Sequence, residues 1–388
     1  MGFQSNVSVN IKRVAAAIAL AAVVLAAVGA SAVYLTSGSI TDEGESAAGG
    51  VEAAPDLKLA ATQVELGHLL FYDGRLSGDG STSCATCHDP NNAYMDGEPL
   101  SAGYSRGNPY FRNTPTLLNA SKMPFYDWDG RFAQGDLATV VRDHIAEAHF
   151  MSLDGRLLVE RMRQVPEYEE SFKGVFGSEV SYGKVLNAVA AYLQTLESSD
   201  DNPYLAYKSG DTDALSTQAR RGLDLFEGKA GCVQCHSGDL LSDGQFHNLG
   251  VPDNSLIFED PQRHITFRRF FRMFGVSEFV TMRDDPGLYA LTTDEADRGK
   301  FRTPSLLEVA RTAPYMHGGV FESLSEVVEF YNAGGGTSDN KDAALSPLGL
   351  TDAEAADLVS FLESLSSPAE VVNIPELPMY ELRTLGAN

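Results

Sequence analysis

Cys84-Ala85-Thr86-Cys87-His88 and Cys232-Val233-Gln234-Cys235-His236 are two copies of one pentapeptide, C-x-x-C-H, and together they use all 4 cysteines of the 388-residue chain. Each copy reads as a covalent c-type haem site, in which two thiols bond the porphyrin edge and the adjoining histidine ligates iron from one face. Four thiols would also suffice for one tetrahedral zinc site or two disulfides. Neither needs a histidine directly after the second cysteine, and here it occurs twice. Cys84, Cys87, His88, Cys232, Cys235 and His236 are therefore read as the holders of two covalently bound haem c groups.

Haem is attached to cysteine outside the cytoplasm, and the N-terminus supplies a route there. Lys12 and Arg13 precede an uncharged run, 14–35, rich in Ala, Val and Leu. Ala30-Ser31-Ala32 gives it the small-residue end of a cleaved signal peptide, yet at roughly 20 residues it is also long enough to span a bilayer. Residues 1–35 are thus a signal peptide or membrane anchor, and a tether through 14–35 stays open. Residues 36–56, rich in Gly, Ser, Ala and Glu, bury too little apolar surface to fold and read as a flexible linker. The expected location is the periplasm or the extracytoplasmic face of the membrane.

The rest is long enough for two domains with one motif each: an N-terminal haem domain, 57–205, and a C-terminal haem domain, 206–388. A formal net charge of -24 sets nucleic acid aside as a partner, because like charges repel the phosphate backbone. Against this acidity, Arg263, His264, Arg268, Arg269 and Arg272 form a basic cluster in 248–300, a weakly periodic segment that reads as a docking loop or a counter-charged face. The chain also repeats itself. Phe111-Arg112-Asn113-Thr114-Pro115-Thr116-Leu117-Leu118 is echoed by Phe301-Arg302-Thr303-Pro304-Ser305-Leu306-Leu307. Capping boxes open at Thr351 and Ser323, Leu358, Val359, Leu362 and Leu365 share a helix face, and no long alternating strand pattern competes. The expected fold is mostly α: two cytochrome c-like haem domains, preceded by an N-terminal signal or anchor helix.

Leu66-Gly67, Leu70-Phe71, Leu76-Ser77, the first haem motif, 112–119 and Trp128-Asp129-Gly130-Arg131, followed by the second motif, 301–306 and Thr312-Ala313-Pro314-Tyr315-Met316-His317-Gly318, resemble the bacterial dihaem cytochrome c peroxidases and their relative MauG. The resemblance covers roughly 60–367. It implies an N-terminal haem that meets peroxide, a C-terminal haem that passes electrons, and a calcium ion held by Asn113, Thr312 and Pro314. It also implies an inter-haem relay at Trp128, the only tryptophan in the chain. The sixth ligand of the second haem falls on Tyr331, as in MauG, where the peroxidases place methionine; Met316 is the rival. A phenolate lowers haem potential relative to a thioether, which favours highly oxidised iron. No histidine lies between Asp89 and Asn113 to close the first haem, so that iron is expected open. The family's distal glutamate matches Glu147 best, with His144 and His149 as alternatives for the proton shuttle or as ligands.

The sequence thus points to an oxidoreductase reducing hydrogen peroxide with electrons from a small donor protein, a cytochrome c or cupredoxin, or from a protein substrate. A non-catalytic dihaem electron-transfer cytochrome and a haem-based peroxide sensor are the alternatives. Whether the chain forms a homodimer stays open.

Overall fold

Two glycines show how each half is built. The computed structural model describes residues 59–104, 109–199, 201–369 and 371–380; the leader 1–35 and linker 36–56 lie outside them. Among the described residues no helix is long and apolar enough to cross a membrane. In chain order the first half holds α1 (Gln63–Tyr72), α2 (Cys84–Cys87), α3 (Leu137–Ala146), α4 (Gly155–Arg163), α5 (Pro166–Phe176) and α6 (Tyr182–Leu193). The second holds α7 (Pro203–Lys208), α8 (Thr217–Glu227), α9 (Leu256–Glu259), α10 (Pro261–Met273), α11 (Tyr289–Thr292), α12 (Leu324–Asn332) and α13 (Asp352–Glu363).

α1 crosses α6 with Gly67 against the backbone of Ala188, and α8 crosses α13 with Gly222 against Asp357. A Cβ on Gly67 would stand 1.9 Å from the Ala188 carbonyl oxygen, and one on Gly222 would stand 2.0 Å from that of Asp357. The same close helix crossing is therefore made twice, by the same residue type, as expected of a duplicated unit. Alanine at either glycine is expected to cost about 1–3 kcal/mol or more through overpacking, because backbone rather than a movable side chain is struck. Urea unfolding of Gly67→Ala and Gly222→Ala checks this, and no change in midpoint would contradict it.

Around the first crossing Leu66, Leu70, Val185 and Val189 pack with Leu158, Met162, Tyr168 and Phe172. Around the second, Leu223, Phe226, Leu358 and Phe361 pack with Leu324 and Val328. Capping boxes at Thr62, Ser323 and Thr351 start α1, α12 and α13. The strands are two-residue antiparallel ladders, β1 (Phe125–Tyr126) with β2 (Phe132–Ala133) and β3 (Phe246–His247) with β4 (Phe301–Arg302). The mostly helical expectation therefore holds.

Residues 56–388 make up one compact unit. α7 runs across position 205/206, where the sequence reading divides the halves, and Tyr204 and Leu205 pack in the second core. The weakly periodic segment 248–300 carries the 13-residue helix α10 between irregular stretches. Asp260 caps α10, whose Phe267, Phe270 and Phe271 are buried against Tyr110 and Phe111 of the first half, while Arg269 and Arg272 face outward. Arg263 turns inward and donates to the Ser101 and Tyr110 carbonyls. The C-terminal tail returns to the first half, where Arg75 Nη2 donates to the Pro378 carbonyl at 2.8 Å.

Candidate functional site

Both C-x-x-C-H segments present their side chains to cavities. In the first, α2 is a single turn that places Cys84 and Cys87 on one face, and His88 N closes it on the Cys84 carbonyl at 2.9 Å. His88 Nδ1 donates to the Tyr94 carbonyl at 2.9 Å, and His236 Nδ1 does the same to Leu241 at 3.0 Å. A carbonyl can only accept, so Nδ1 carries the hydrogen and Nε2 keeps a lone pair in each ring. Burial pushes His88 down to about 4 and lowers His236 as well, so both stay neutral, the form that binds metal.

Cys84 and Cys87 line one cavity, and Cys232 and Cys235 line another, so the four thiols do not form one tetrahedral site. All four are free of disulfides. Burial pushes Cys84 up to about 12 and Cys87 and Cys232 to about 11, which disfavours the thiolates a zinc site requires. The second cavity measures about 890 Å³, within the range of cofactor pockets. The first is tighter, about 110 Å³, so a porphyrin there requires its lining side chains to move outward. In that wall the Tyr110 hydroxyl is buried without a partner, a donor suited to a haem carboxylate. The residues of both cavities fit a haem.

His144, on the last turn of α3, lines the first cavity together with Val140, Val141, Ile145 and Phe150. Its Nδ1 donates to the Val140 carbonyl at 2.9 Å and its ring stacks on Phe150 at 4.3 Å, which commits Nδ1 and leaves Nε2 as the nitrogen available for proton exchange. Glu147 and His149 do not line the cavity. Glu147 is the C-cap of α3, its carboxyl raised by burial and by Asp143. His149 is buried against Tyr110, pushed down to about 3 by that burial and by Arg131, with Nε2 unpartnered.

Tyr331 and Met316 both line the second cavity. Tyr331, on α12, has its phenol raised by burial and by Cys232 and Cys235. Met316 occupies a left-handed backbone position, φ 71°. His247 was not singled out from sequence; one of its partners, Asp342, lies 95 positions away. Its Nε2 meets Asp243 at 2.9 Å and its Nδ1 meets Asp342 at 2.5 Å. Contact with Cys235 and these two carboxylates lifts His247 from 6.5 to about 10. Where Cys235 is held in a thioether the two carboxylates alone keep the value raised, so the stabilisation is full below about pH 6.5 and is lost as pH rises through that raised value. The melting temperature is expected to fall over that window, and to fall less in His247→Asn; equal slopes would contradict this.

Trp128 lines both cavities. Its indole Nε1 donates to the Asn113 carbonyl at 2.9 Å, and its own carbonyl accepts from Arg302 N at 3.0 Å. The two Phe-Arg repeats thus grip one turn from opposite halves. Arg112, 1% exposed, bonds Asp129 at 2.5 Å and Asp285 at 2.7 and 2.9 Å, while Arg302 Nε reaches the Asp127 carbonyl at 3.3 Å. Asn113 N donates to the His317 carbonyl at 2.8 Å, bringing the 312–317 loop beside Asn113.

A family model described as di-haem cytochrome c peroxidase matches residues 61–213. The cytochrome-c peroxidase IdrP2 of Denitromonas iodatirespirans is 45% identical over 339 residues, covering 87% of this chain and 91% of that protein. The methylamine utilization protein MauG of Methylorubrum extorquens is 34% identical over 322 residues, covering 82% of each. Among solved structures, a MauG-like protein associated with microbial copper homeostasis superposes with a TM-score of 0.68 at 28% identity, covering 80% of this chain and 91% of that one. Two cavities each lined by a C-x-x-C-H segment, the tryptophan they share and these relatives converge: the chain belongs to the dihaem cytochrome c peroxidase and MauG family of peroxidase-type oxidoreductases.

Proposed function

We propose that hydrogen peroxide is reduced in the first cavity and that electrons reach it from the second through Trp128. The observation that carries this reading is the presence of Trp128 in both cavity walls. Cys84, Cys87 and His88 would hold one haem c, and Cys232, Cys235 and His236 the other, as thioethers and axial imidazoles. A haem bound in the first cavity supplies the iron at which peroxide is held and its O–O bond reduced. His144 Nε2 takes the proton from the inner peroxide oxygen and delivers it to the outer one, so that water leaves. This assigns to His144 the role that resemblance gave to Glu147, because His144 lines the cavity and Glu147 does not. Asp127 and Arg131, paired at 2.6 Å in the same wall, hold a fixed field beside it; despite its burial, Asp127 is kept below the carboxylate range by Arg131.

Tyr331, on α12 in the wall of the second cavity, would cap the second haem, with Met316 in the same wall as its rival. Calcium would be held by Asn113 Oδ1 and the carbonyls of Thr312 and Pro314, hard oxygens that accept no hydrogen bond among the described residues. The electron source is a small donor protein or a protein substrate, on the extracytoplasmic side where thioether attachment occurs. Peroxide turnover with a reduced small cytochrome tests the reading: Trp128→Phe should slow electron delivery and leave peroxide binding intact, and unchanged delivery would overturn the relay.

A further inference from the structure

Three buried phenols lie on the proximal side of His88. Tyr94, whose carbonyl holds His88 Nδ1, puts its hydroxyl 3.3 Å from that of Tyr192, and Tyr72 completes the cluster. Phe71, a wall residue of the first cavity, touches all three rings at 5.2–6.1 Å between centroids. The rings are 7–8% exposed and enclosed by Leu117, Leu118, Leu193 and Leu377.

Packing does not call for the hydroxyls. Phenylalanine would fill the same space, yet all three positions carry hydroxyls that face one another, Tyr94 and Tyr192 at 3.3 Å and Tyr72 towards Tyr192. The backbone also bends to bring Tyr94 here: Ala93 and Tyr94 are consecutive left-handed residues, φ 50° and 58°, a conformation that L-residues disfavour. Observed strain of this kind points to use. Beside the cluster, His68 is half-buried, with its ring 5.0 Å from Tyr192 and 5.3 Å from Tyr72, and burial lowers its pKa so that it is neutral and able to take a proton.

We propose that Tyr94, Tyr192 and Tyr72 form an oxidisable branch off the first cavity, which draws away a surplus oxidising equivalent and stores it as a radical on Tyr192 when no external donor arrives. This rests on the reading that peroxide is reduced in that cavity. One electron leaves the Tyr192 ring, through Tyr94, for the peroxide-oxidised haem site, which is reduced by one equivalent. The phenolic proton passes to the His68 imidazole, leaving a neutral tyrosyl radical beside an imidazolium. No bond between heavy atoms forms or breaks, and a later electron and the returned proton restore the phenol. Trp128 is not among the residues packed on this cluster, so the branch is separate from the relay and protects the cavity rather than feeding it.

The test is rapid-freeze EPR of the haem-loaded protein mixed with peroxide without donor, with and without ring-deuterated tyrosine. Wild type is expected to give a radical signal narrowed by the label. Tyr192→Phe should lose it, His68→Leu should slow its appearance, and donor-coupled turnover of Tyr192→Phe should match wild type. A labelled signal persisting in the triple Tyr72, Tyr94 and Tyr192 to Phe variant would overturn the branch alone, as would wild type that turns over peroxide without any tyrosyl signal. Wild type that consumes no peroxide even with donor would overturn the reading of the cavity, and the branch with it.

Discussion

His144→Leu is expected to lower kcat/KM for hydrogen peroxide by about 10²–10⁴-fold, the range for loss of a positioned general acid–base group. The argument is geometric. Nδ1–H is committed to the Val140 carbonyl at 2.9 Å, so Nε2 is the basic atom, and the stack on Phe150 holds the ring in the cavity wall. The change leaves the second cavity untouched, so its haem spectrum should not move. Glu147→Gln and His149→Gln serve as controls, since neither residue lines the cavity, and both should turn over near the wild-type rate. Stopped-flow peroxide kinetics on the three variants decides the matter; if Glu147→Gln shows the large loss and His144→Leu does not, the resemblance-based assignment is restored.

Arg112→Met is expected to destabilise the protein by about 3–5 kcal/mol, the cost of breaking a buried ion pair from one side. Asp129 and Asp285, its two partners, are 0% and 4% exposed, so removing the guanidinium leaves Asp285 without its cation and Asp129 with only the more distant Arg131, at 3.7 Å, in a dry interior. Despite its burial, Asp285 is held below the ordinary carboxylate value by Arg112, the electrostatic signature of that dependence. Because Asp129 follows Trp128, the same change should loosen the relay turn and slow electron delivery more than stability alone predicts. Adding Asp129→Asn and Asp285→Asn to Arg112→Met should recover much of the stability without restoring transfer. Urea unfolding checks the first statement and single-turnover kinetics the second; a loss of stability within ordinary surface-mutation range would contradict the buried-pair account.

Much of this was legible in the sequence because its signals are local. The haem motifs are five contiguous residues, each folded as one short turn that itself positions the thiols and the imidazole. Thr351 and Ser323 announce α13 and α12 through hydrogen bonds spanning three residues. What escaped depends on chain segments far apart. Glu147 and His144 differ by under one helical turn, and spacing alone cannot say which faces a cavity whose other walls come from 71–131 and 189–193. α10 was hidden by its composition: Phe267, Phe270 and Phe271 follow helical spacing, but the arginines between them mask the apolar face. The Phe-Arg repeat was visible, but its purpose was not. Arg112 reaches a carboxylate 173 positions away, and only the folded chain shows the two repeats gripping one tryptophan turn.

The central claim is that the two haem sites differ in kind, one open above His88 with His144 in its wall and the other capped by Tyr331. EPR of the fully oxidised haem-loaded protein tests it most directly. One high-spin and one low-spin ferric signal are expected, with Tyr331→Phe altering only the low-spin component. Two low-spin signals in wild type, with the one unaffected by Tyr331→Phe turning high-spin in His144→Leu, would contradict it: His144 would then be an iron ligand, and the chain a relay of electrons rather than a site for peroxide.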